Sequence, residues 1–152
     1  MNDRIKFSGH TMGAPKCDIF EVIELFKSIG YDGIEVRVAA DGQIDSEKLT
    51  DEEARKIDAA ARAKGMEFSC LTSYYQNFVK MEEREDVIRN LKRVIEIAAL
   101  LHCPLVRVYG GVEPFSQPGV WFNDVWSRTV DGIRRTAEYA AKFGVRICIE
   151  TH

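Results

Sequence analysis

The sequence lacks any apolar run that could span a bilayer. Nothing in its 152 residues approaches the roughly 18 consecutive apolar residues that mark a transmembrane helix. The N-terminal segment also has no long apolar stretch of the kind found in targeting sequences. We therefore expect a protein without a membrane partner.

Cysteine is scarce and widely spaced. The four cysteines form no C-x-x-C pair and show no zinc-site spacing; they are Cys17, Cys70, Cys103 and Cys148. A disulfide framework is not expected in a domain long enough to bury a hydrophobic core. Reduced, mostly buried thiols are typical of a cytoplasmic protein, which is the location that the sequence predicts.

A large excess of charge of either sign is also missing. The formal net charge is −3, so the chain has no overall electrostatic attraction to nucleic acid or to an anionic membrane. Nucleic acid is therefore an unfavoured partner. The hydrophobic content of 45% is ordinary for a globular protein, and the length predicts a single domain over residues 1–152.

What the sequence does contain is a repeat of strand-like and helix-like segments. Helical periodicity indicates four helices, three of which end in glycine, and the second begins at a capping box formed by Thr50 and Glu53. The predicted strands cover residues 5–8, 34–38, 66–72, 105–109 and 145–150, and the predicted helices cover about 18–29, 50–65, 83–101 and 123–143. Strands that alternate with helices predict a parallel sheet of the α/β class.

Two architectures compete for such a repeat, a doubly wound sheet and a barrel of the TIM type. Parallel strands that are buried on both faces normally read as continuous apolar runs. Here one face of the strands is apolar, with Ile5, Phe7, Ile34, Val36, Val38, Val106, Val108, Ile147 and Ile149. The other face is charged or polar, with Lys6, Ser8, His10, Glu35, Arg37, Arg107, Tyr109, Arg146, Glu150 and His152. A doubly wound sheet would bury those charges under a second helix layer, which is costly, so the pattern favours the barrel.

Three segments carry a resemblance to a known family. They are residues 29–37, 105–111 and 145–152, and their order and spacing are more specific than any one of them. On these segments the sequence resembles the xylose-isomerase-like TIM barrels, the sugar phosphate isomerase/epimerase superfamily. The resemblance spans nearly the whole chain and five of the family's eight strands, so it implies an incomplete (β/α) barrel that ends at its fifth strand.

The resemblance implies a role for Glu150. In the family a glutamate at the end of strand five binds a divalent metal, commonly Mn, Mg, Co or Zn, and Glu150 matches that position. The other ligands of the family come from strands six to eight, so the resemblance implies that this chain binds metal weakly or not at all. The residues alone leave a second interpretation open, in which Glu150 is a lone carboxylate paired with Arg107 or Arg146.

Five further residues are candidates for substrate binding. Glu35, Arg107 and Tyr109 lie on the polar face of strands two and four, where a guanidinium and a phenol can recognise hydroxyl groups. His10 follows strand one, and His152 follows strand five. The alternatives remain an Arg–Glu network that fills the barrel, a polar loop residue at position 10, and a frayed terminus at position 152.

The leading functional hypothesis is a metal-dependent sugar or sugar phosphate isomerase or epimerase, which abstracts a proton next to a carbonyl, with Glu150 as the catalytic residue. Its partner would be a small sugar or polyol. An abasic-endonuclease-like phosphodiesterase and a non-catalytic fragment of a barrel are the alternatives. Because strands one and five would be open edges of the sheet, we also expect a homo-oligomer that pairs through those edges.

Overall fold

The chain, described by a computed structural model over residues 4–76, 78–111 and 122–151, alternates strands and helices in the predicted order. The strands are β1 (Ser8–His10), β2 (Gly33–Val38), β3 (Glu67–Ser73), β4 (Leu105–Tyr109) and β5 (Arg146–Glu150). The helices are α1 (Ile19–Ile29), α2 (Asp51–Ala63), α3 (Met81–Leu100) and α4 (Phe122–Ala141). A short 3₁₀ turn, Thr11–Gly13, follows β1.

Local capping explains where the first two helices begin. The predicted capping box of α2 is confirmed, with the Glu53 amide donating to the Thr50 hydroxyl at 3.2 Å and the Glu53 carboxylate accepting from the Thr50 amide at 2.8 Å. A second capping box, between Asp18 and Glu21, starts α1. Gly30 ends α1 with φ of 95°, a left-handed conformation that glycine adopts without a steric penalty.

The five strands form one parallel sheet in the order β1-β2-β3-β4-β5. This sequential order confirms the prediction of a partial barrel of the TIM type, since each strand pairs with the next one along the chain. The register shifts once, between Ile34 and Glu35, where β2 meets β3. Downstream of that shift, Arg37 pairs with Thr72, which in turn pairs with Arg107.

The hydrophobic core lies between the helices and the apolar face of the strands. Ile34, Val36, Val106 and Val108 are fully buried and belong to the same cluster as the inward-facing residues of the described helices. We call the opposite face of the sheet the inner face; it carries the charged side chains, as period-two alternation predicts. Within the described residues, no helix is both long enough and apolar enough to cross a membrane.

The first strand differs from its prediction. Residues 5–8 were expected to be the strand, but β1 begins only at Ser8, and Ile5 and Phe7 are 76% and 62% exposed. The segment before β1 is held by Asp32 instead, whose carboxylate accepts from the Phe7 amide at 3.0 Å. The apolar side chains of Ile5 and Phe7 therefore lie at the β1 edge of the sheet without a described helix over them.

Candidate functional site

The register of the strands arranges the inner-face side chains in rows. Arg107 lies in a row with Thr72 on β3 and Cys148 on β5. Tyr109 and Glu150 are register partners in the next row toward the C-terminal ends of the strands. In barrels of this type that end of the strands is where functional side chains gather.

Arg107 and Glu150 are joined by an ion pair at this end of the sheet. The Arg107 Nε atom lies 3.1 Å from Glu150 Oε2. The Nε–H group does not point at that oxygen, so Nε is buried without a hydrogen bond among the described residues. Arg107 is only 7% exposed, whereas the Glu150 side chain is 43% exposed. The guanidinium is therefore part of the wall and the carboxylate is the part that a ligand can reach.

Two tyrosine rings hold the Arg107 guanidinium in place. Its central carbon lies 4.3 Å from the centroid of the Tyr109 ring and 5.1 Å from that of Tyr74. Both distances are typical of cation–π contacts. Nη1 also donates to the backbone oxygen of Ser73 at 2.8 Å. These contacts fix the guanidinium beneath Glu150.

Tyr74 was not among the predicted site residues. It follows β3 directly, and its ring also lies 5.4 Å from the Arg37 guanidinium carbon. A signal was present in the sequence, because the first residue beyond a barrel strand lies at the functional end of the sheet. The prediction was limited to side chains on the polar face of the strands and to two histidines at strand ends, so it did not include this tyrosine.

His10 is tied to the fold through both ring nitrogens. Nδ1 accepts from the Met12 amide at 3.0 Å, and Nε2 lies 3.1 Å from the Thr72 hydroxyl. That hydroxyl donates its proton to the Val36 oxygen at 2.9 Å, so it accepts from His10, which places the ring proton on Nε2. Substrate binding by His10 remains a prediction. To bind a substrate, a ring nitrogen of His10 would have to give up one of these two hydrogen bonds for a bond to the substrate.

Glu35 lies deeper in the sheet than Arg107, Tyr109 and Glu150. It pairs in register with His10 and with Cys70, one row below Arg107 and two rows below Glu150. Among the described residues Glu35 makes no hydrogen bond or ion pair. The structure thus brings Arg107, Tyr109 and Glu150 together and places Glu35 apart from them. His152 lies outside the described residues.

The thiols near this layer are protonated and buried. Burial, reinforced by the neighbouring Cys148 thiol, raises the pKa of Cys70 far above its ordinary value. Burial also raises the pKa of Cys103 to about 12. Neutral thiols of this kind are poor metal ligands and poor nucleophiles, since the thiolate is the reactive form.

The donor set of the described residues does not fit a complete divalent metal site. Within the described residues, no group of three or more His, Cys, Asp or Glu side chains lies close enough to hold a metal ion. Glu150, the expected ligand, has a guanidinium at 3.1 Å, where a second positive charge would be repelled. Hard divalent cations need several oxygen or imidazole ligands, and this part of the chain provides one recognisable candidate.

The fold of the chain is similar to that of several solved structures. A D-psicose 3-epimerase crystallised in the presence of D-fructose is 21% identical with a TM-score of 0.77, and the match covers 95% of this chain and 52% of that one. The IOLI protein with a bound zinc atom is 17% identical with a TM-score of 0.78, covering 97% and 51%. The 3-keto-D-glucoside 4-epimerase YcjR from E. coli is 19% identical with a TM-score of 0.73, covering 96% and 56%.

The chain thus spans about half the length of these three structures, and at such identities the likeness establishes the fold. No curated protein matches the chain in sequence. A family model does: the model for the xylose isomerase-like TIM barrel matches residues 23–152, well over half of the chain. This match agrees with the sequential parallel sheet and with the polar cluster at its C-terminal end. The chain belongs to the xylose isomerase-like TIM barrel family.

Proposed function

We propose that this chain provides the first five strands of a sugar or polyol isomerase or epimerase. The observation that carries the proposal is the contact between Arg107 and the half-exposed Glu150 at the C-terminal ends of β4 and β5. An accessible carboxylate at this end of the sheet can take a proton from a bound substrate, and the contact with Arg107 fixes the position of that carboxylate.

The substrate class that we propose is a ketose or a related keto sugar. Support comes from the matched structures, whose names include a D-psicose 3-epimerase with D-fructose and a 3-keto-D-glucoside 4-epimerase. Both names describe inversion at a carbon of a keto sugar. The family resemblance also suggests a sugar that carries a phosphate group. Comparing the affinity of the chain for a sugar with its affinity for the phosphate ester of the same sugar would decide between the two.

Glu150 is the residue to which we assign proton transfer. The C–H bond next to the ketone breaks, its proton passes to the carboxylate, and its electron pair forms an enediolate with the carbonyl. A water molecule on the opposite face donates a proton to that carbon, which gives the epimer, and the carboxylic acid of Glu150 releases its proton to solvent, which restores the carboxylate. We assign Arg107 the role of a positioning residue, through its contact with Glu150, and Tyr109 the role of contacting a substrate hydroxyl.

We include a divalent metal in this proposal only where a barrel supplies ligands in addition to Glu150. The resemblance assigns Glu150 as one ligand, and matched structures are named with zinc or with magnesium. The described part of this chain lacks a ligand cluster, so no step of the proposed chemistry passes through a metal here.

We also propose a domain organisation, a location and an association state for the chain. We infer that residues 1–152 form one partial barrel domain, supported by a single continuous core cluster. The four unpaired cysteines support a cytoplasmic location. We also infer that the chain associates with a second copy through the edges of the sheet, since β1 and β5 each pair with one neighbour on one side.

A titration of the isotopically labelled chain with D-fructose, followed by amide NMR signals, tests the proposal. We expect saturable shifts that centre on Tyr109 and Glu150 and that weaken in Glu150→Gln. Asp86→Asn is the matched control, because Asp86 forms an exposed ion pair with Arg89 at 2.8 Å on α3. Absence of any saturable shift at the ends of β4 and β5, in a chain whose spectrum shows it to be folded, would exclude the proposed role.

A further inference from the structure

A cavity of about 330 Å³ lies at the N-terminal end of β3, between the C-terminal ends of α2 and α3. This is the opposite end of the strands from Glu150. Its polar walls are formed by Asp58, Arg62, Glu67 and His102. We propose that this cavity binds a small organic cation, a primary ammonium group on a short alkyl chain, with Asp58 as its anchor. The inference goes beyond the proposed function, because it involves neither a sugar nor chemistry at Glu150.

Asp58 is a charged residue on the buried face of α2. The other buried residues of this helix are Ala54, Ile57 and Ala61, which are all apolar. Asp58 is only 8% exposed. An aspartate is rarely buried to this extent unless a partner compensates its charge. A carboxylate at this position of the helix is therefore a candidate binding group.

The described residues provide the Asp58 carboxylate with two contacts, neither of which is a hydrogen bond. Arg62 Nη1 lies 3.7 Å from Oδ2, which is beyond hydrogen-bond distance. His102 Nδ1 lies 3.1 Å from Oδ1, but the geometry of this contact is not that of a hydrogen bond. The side chains of Arg62 and His102 are 67% and 66% exposed, so both can move aside. A ligand in the cavity could therefore donate hydrogen bonds to a carboxylate that lacks them.

The electrostatic field in the cavity favours a positive charge. The last turn of α3 has no basic residue, and the C-cap residue of this helix, Leu101, lines the cavity. The C-terminal end of a helix carries a partial negative charge, and α2 also ends here. Glu67 adds a second carboxylate, which Lys6 contacts at 2.8 Å. Asp58 and the two helix ends should therefore attract a cation and repel an anion.

The rest of the lining is apolar and leaves room for a carbon chain. Met66, Phe68 and Leu101 line the cavity, and each is at most 3% exposed. A second cavity of about 420 Å³ shares Glu67, Phe68 and His102 with the first, so a ligand of several carbon atoms has space. Within the part of the chain that the structure describes, no group of three ligands could hold a metal ion. An organic cation therefore suits this cavity better than a metal ion.

Amide NMR titrations with three probes of equal chain length test the inference. The probes are n-butylammonium, 1-butanol and butyrate, which carry a positive charge, no charge and a negative charge. We expect butylammonium to shift the signals of Met66, Glu67 and His102 in a saturable manner. Its dissociation constant should be about 1–10 mM, which five non-hydrogen atoms can provide. Butanol should bind at least about tenfold more weakly, because it cannot form the charge-assisted hydrogen bond to Asp58, and butyrate should leave the signals in place.

Asp58→Asn removes the charge and keeps the shape of the side chain. In this variant butylammonium should bind no more tightly than butanol. Without ligand, the variant should unfold at a higher urea concentration than the wild type, because a buried charge without a hydrogen bond is costly. Glu52→Gln is the matched control on the same helix, since Glu52 is 77% exposed and pairs with Lys56 at 2.7 Å. It should leave butylammonium binding unchanged.

Glu150→Gln should also leave butylammonium binding unchanged, so failure of the ketose proposal and failure of this one are distinguishable. The inference is overturned if butylammonium shows no saturation up to about 100 mM, which is weaker than useful recognition. It is equally overturned if butanol binds as tightly as butylammonium, or if Asp58→Asn binds butylammonium as the wild type does. A lower urea midpoint for Asp58→Asn would contradict it as well, because the carboxylate would then have a stabilising partner within the fold.

Discussion

Arg107 Nε lies 3.1 Å from Glu150 Oε2, on a diagonal between two neighbouring rows of the inner face. The two partners differ in their surroundings, because the guanidinium is buried between two tyrosine rings and the carboxylate is half exposed. An ion pair with one buried member is expected to be more strongly coupled than a surface pair.

The first prediction concerns the strength of this coupling. We expect Arg107→Met to destabilise the chain by about 2–3 kcal/mol, since it also removes a charge-assisted hydrogen bond to Ser73. Glu150→Gln should cost about 1 kcal/mol, because solvent reaches that side chain. A double-mutant cycle from urea unfolding should give a coupling energy of about 0.5–2 kcal/mol.

The matched control is the exposed pair of Arg89 and Asp86, whose nitrogen and oxygen lie 2.8 Å apart. A cycle on this pair should give a coupling energy of at most about 0.5 kcal/mol. If the Arg107–Glu150 cycle were no larger than this control, the ion pair would be an ordinary surface contact.

The second prediction is that this chain binds divalent metal weakly. Calorimetric titration with Mn²⁺ or Zn²⁺ should give a dissociation constant no tighter than about 1 mM, since tighter sites need several converging ligands. Ketose epimerisation by the chain with added metal should be marginal. A tight single site that disappears in Glu150→Ala would show that further ligands exist in the chain.

The third prediction concerns association through the sheet edges. Phe7 beside β1 and Ile149 on β5 are 62% and 52% exposed, and among the described strands β1 and β5 are the two at the ends of the sheet order. We expect light scattering behind a sizing column to show an oligomer at micromolar concentration. Phe7→Lys and Ile149→Lys should each shift it toward the monomer, because lysine opposes edge-to-edge pairing.

Phe20→Lys is the control for this experiment. Phe20 is 47% exposed on α1, one turn before Glu24, whose carboxylate pairs with Lys64 near the end of α2. That position is on the α2 side of the helix, away from the β1 edge. Association that Phe20→Lys weakens as much as the edge variants do would point to a surface other than the edges, and a stable wild-type monomer would refute the prediction.

The fourth prediction follows from the raised thiol pKa values. The folded pKa of Cys103 is about 12, above the ordinary value of 9.0, so the folded state holds the proton more tightly than the unfolded state. The resulting stabilisation is complete below about pH 9 and is lost as the pH rises toward about 12. Urea unfolding across this range should show a steeper alkaline loss of stability in the wild type than in Cys103→Ala.

Alkylation provides an independent check of the same thiols. Cys70 and Cys103 are buried, whereas Cys17 and Cys148 are partly exposed. Near neutral pH we expect mass spectrometry to find Cys17 and Cys148 modified first. Modification of Cys103 in the folded chain at a rate equal to that of Cys17 would contradict its burial.

Much of the fold was predictable because local and global signals agree. The capping box at Thr50 and Glu53, the glycine after α1, and the alternation of Ile34 and Val36 with Glu35 each depend on a few neighbouring residues. The sequential order of the strands then follows from the split between an apolar and a polar face. The start of β1 was predicted three residues too early, because the apolar alternation of Ile5 and Phe7 is a local signal, whereas the contact of Asp32 with the Phe7 amide joins residues far apart in sequence.

The site was less predictable, because its contacts join separate segments of the chain. The alternation of side chains predicts that Arg107, Tyr109 and Glu150 share one face of the sheet. It does not predict how far along the strands each residue lies, so Glu35 was grouped with residues that lie one or two rows above it. Tyr74 was missed because an aromatic residue in a loop has no periodicity. Its role depends on two guanidinium groups that only the folded sheet brings to its ring.

The central claim is that Arg107, through Glu150, responds to a keto sugar bound at the end of β4 and β5. The most direct measurement is the NMR signal of the Arg107 Nε–H group, which is buried and lies beside the carboxylate. On titration with D-fructose we expect a saturable shift of this signal, with the same dissociation constant as the Tyr109 amide and with no such shift in Glu150→Gln. If the Nε–H signal stayed fixed while fructose shifted signals elsewhere in the chain, Arg107 and Glu150 would not form the sugar site.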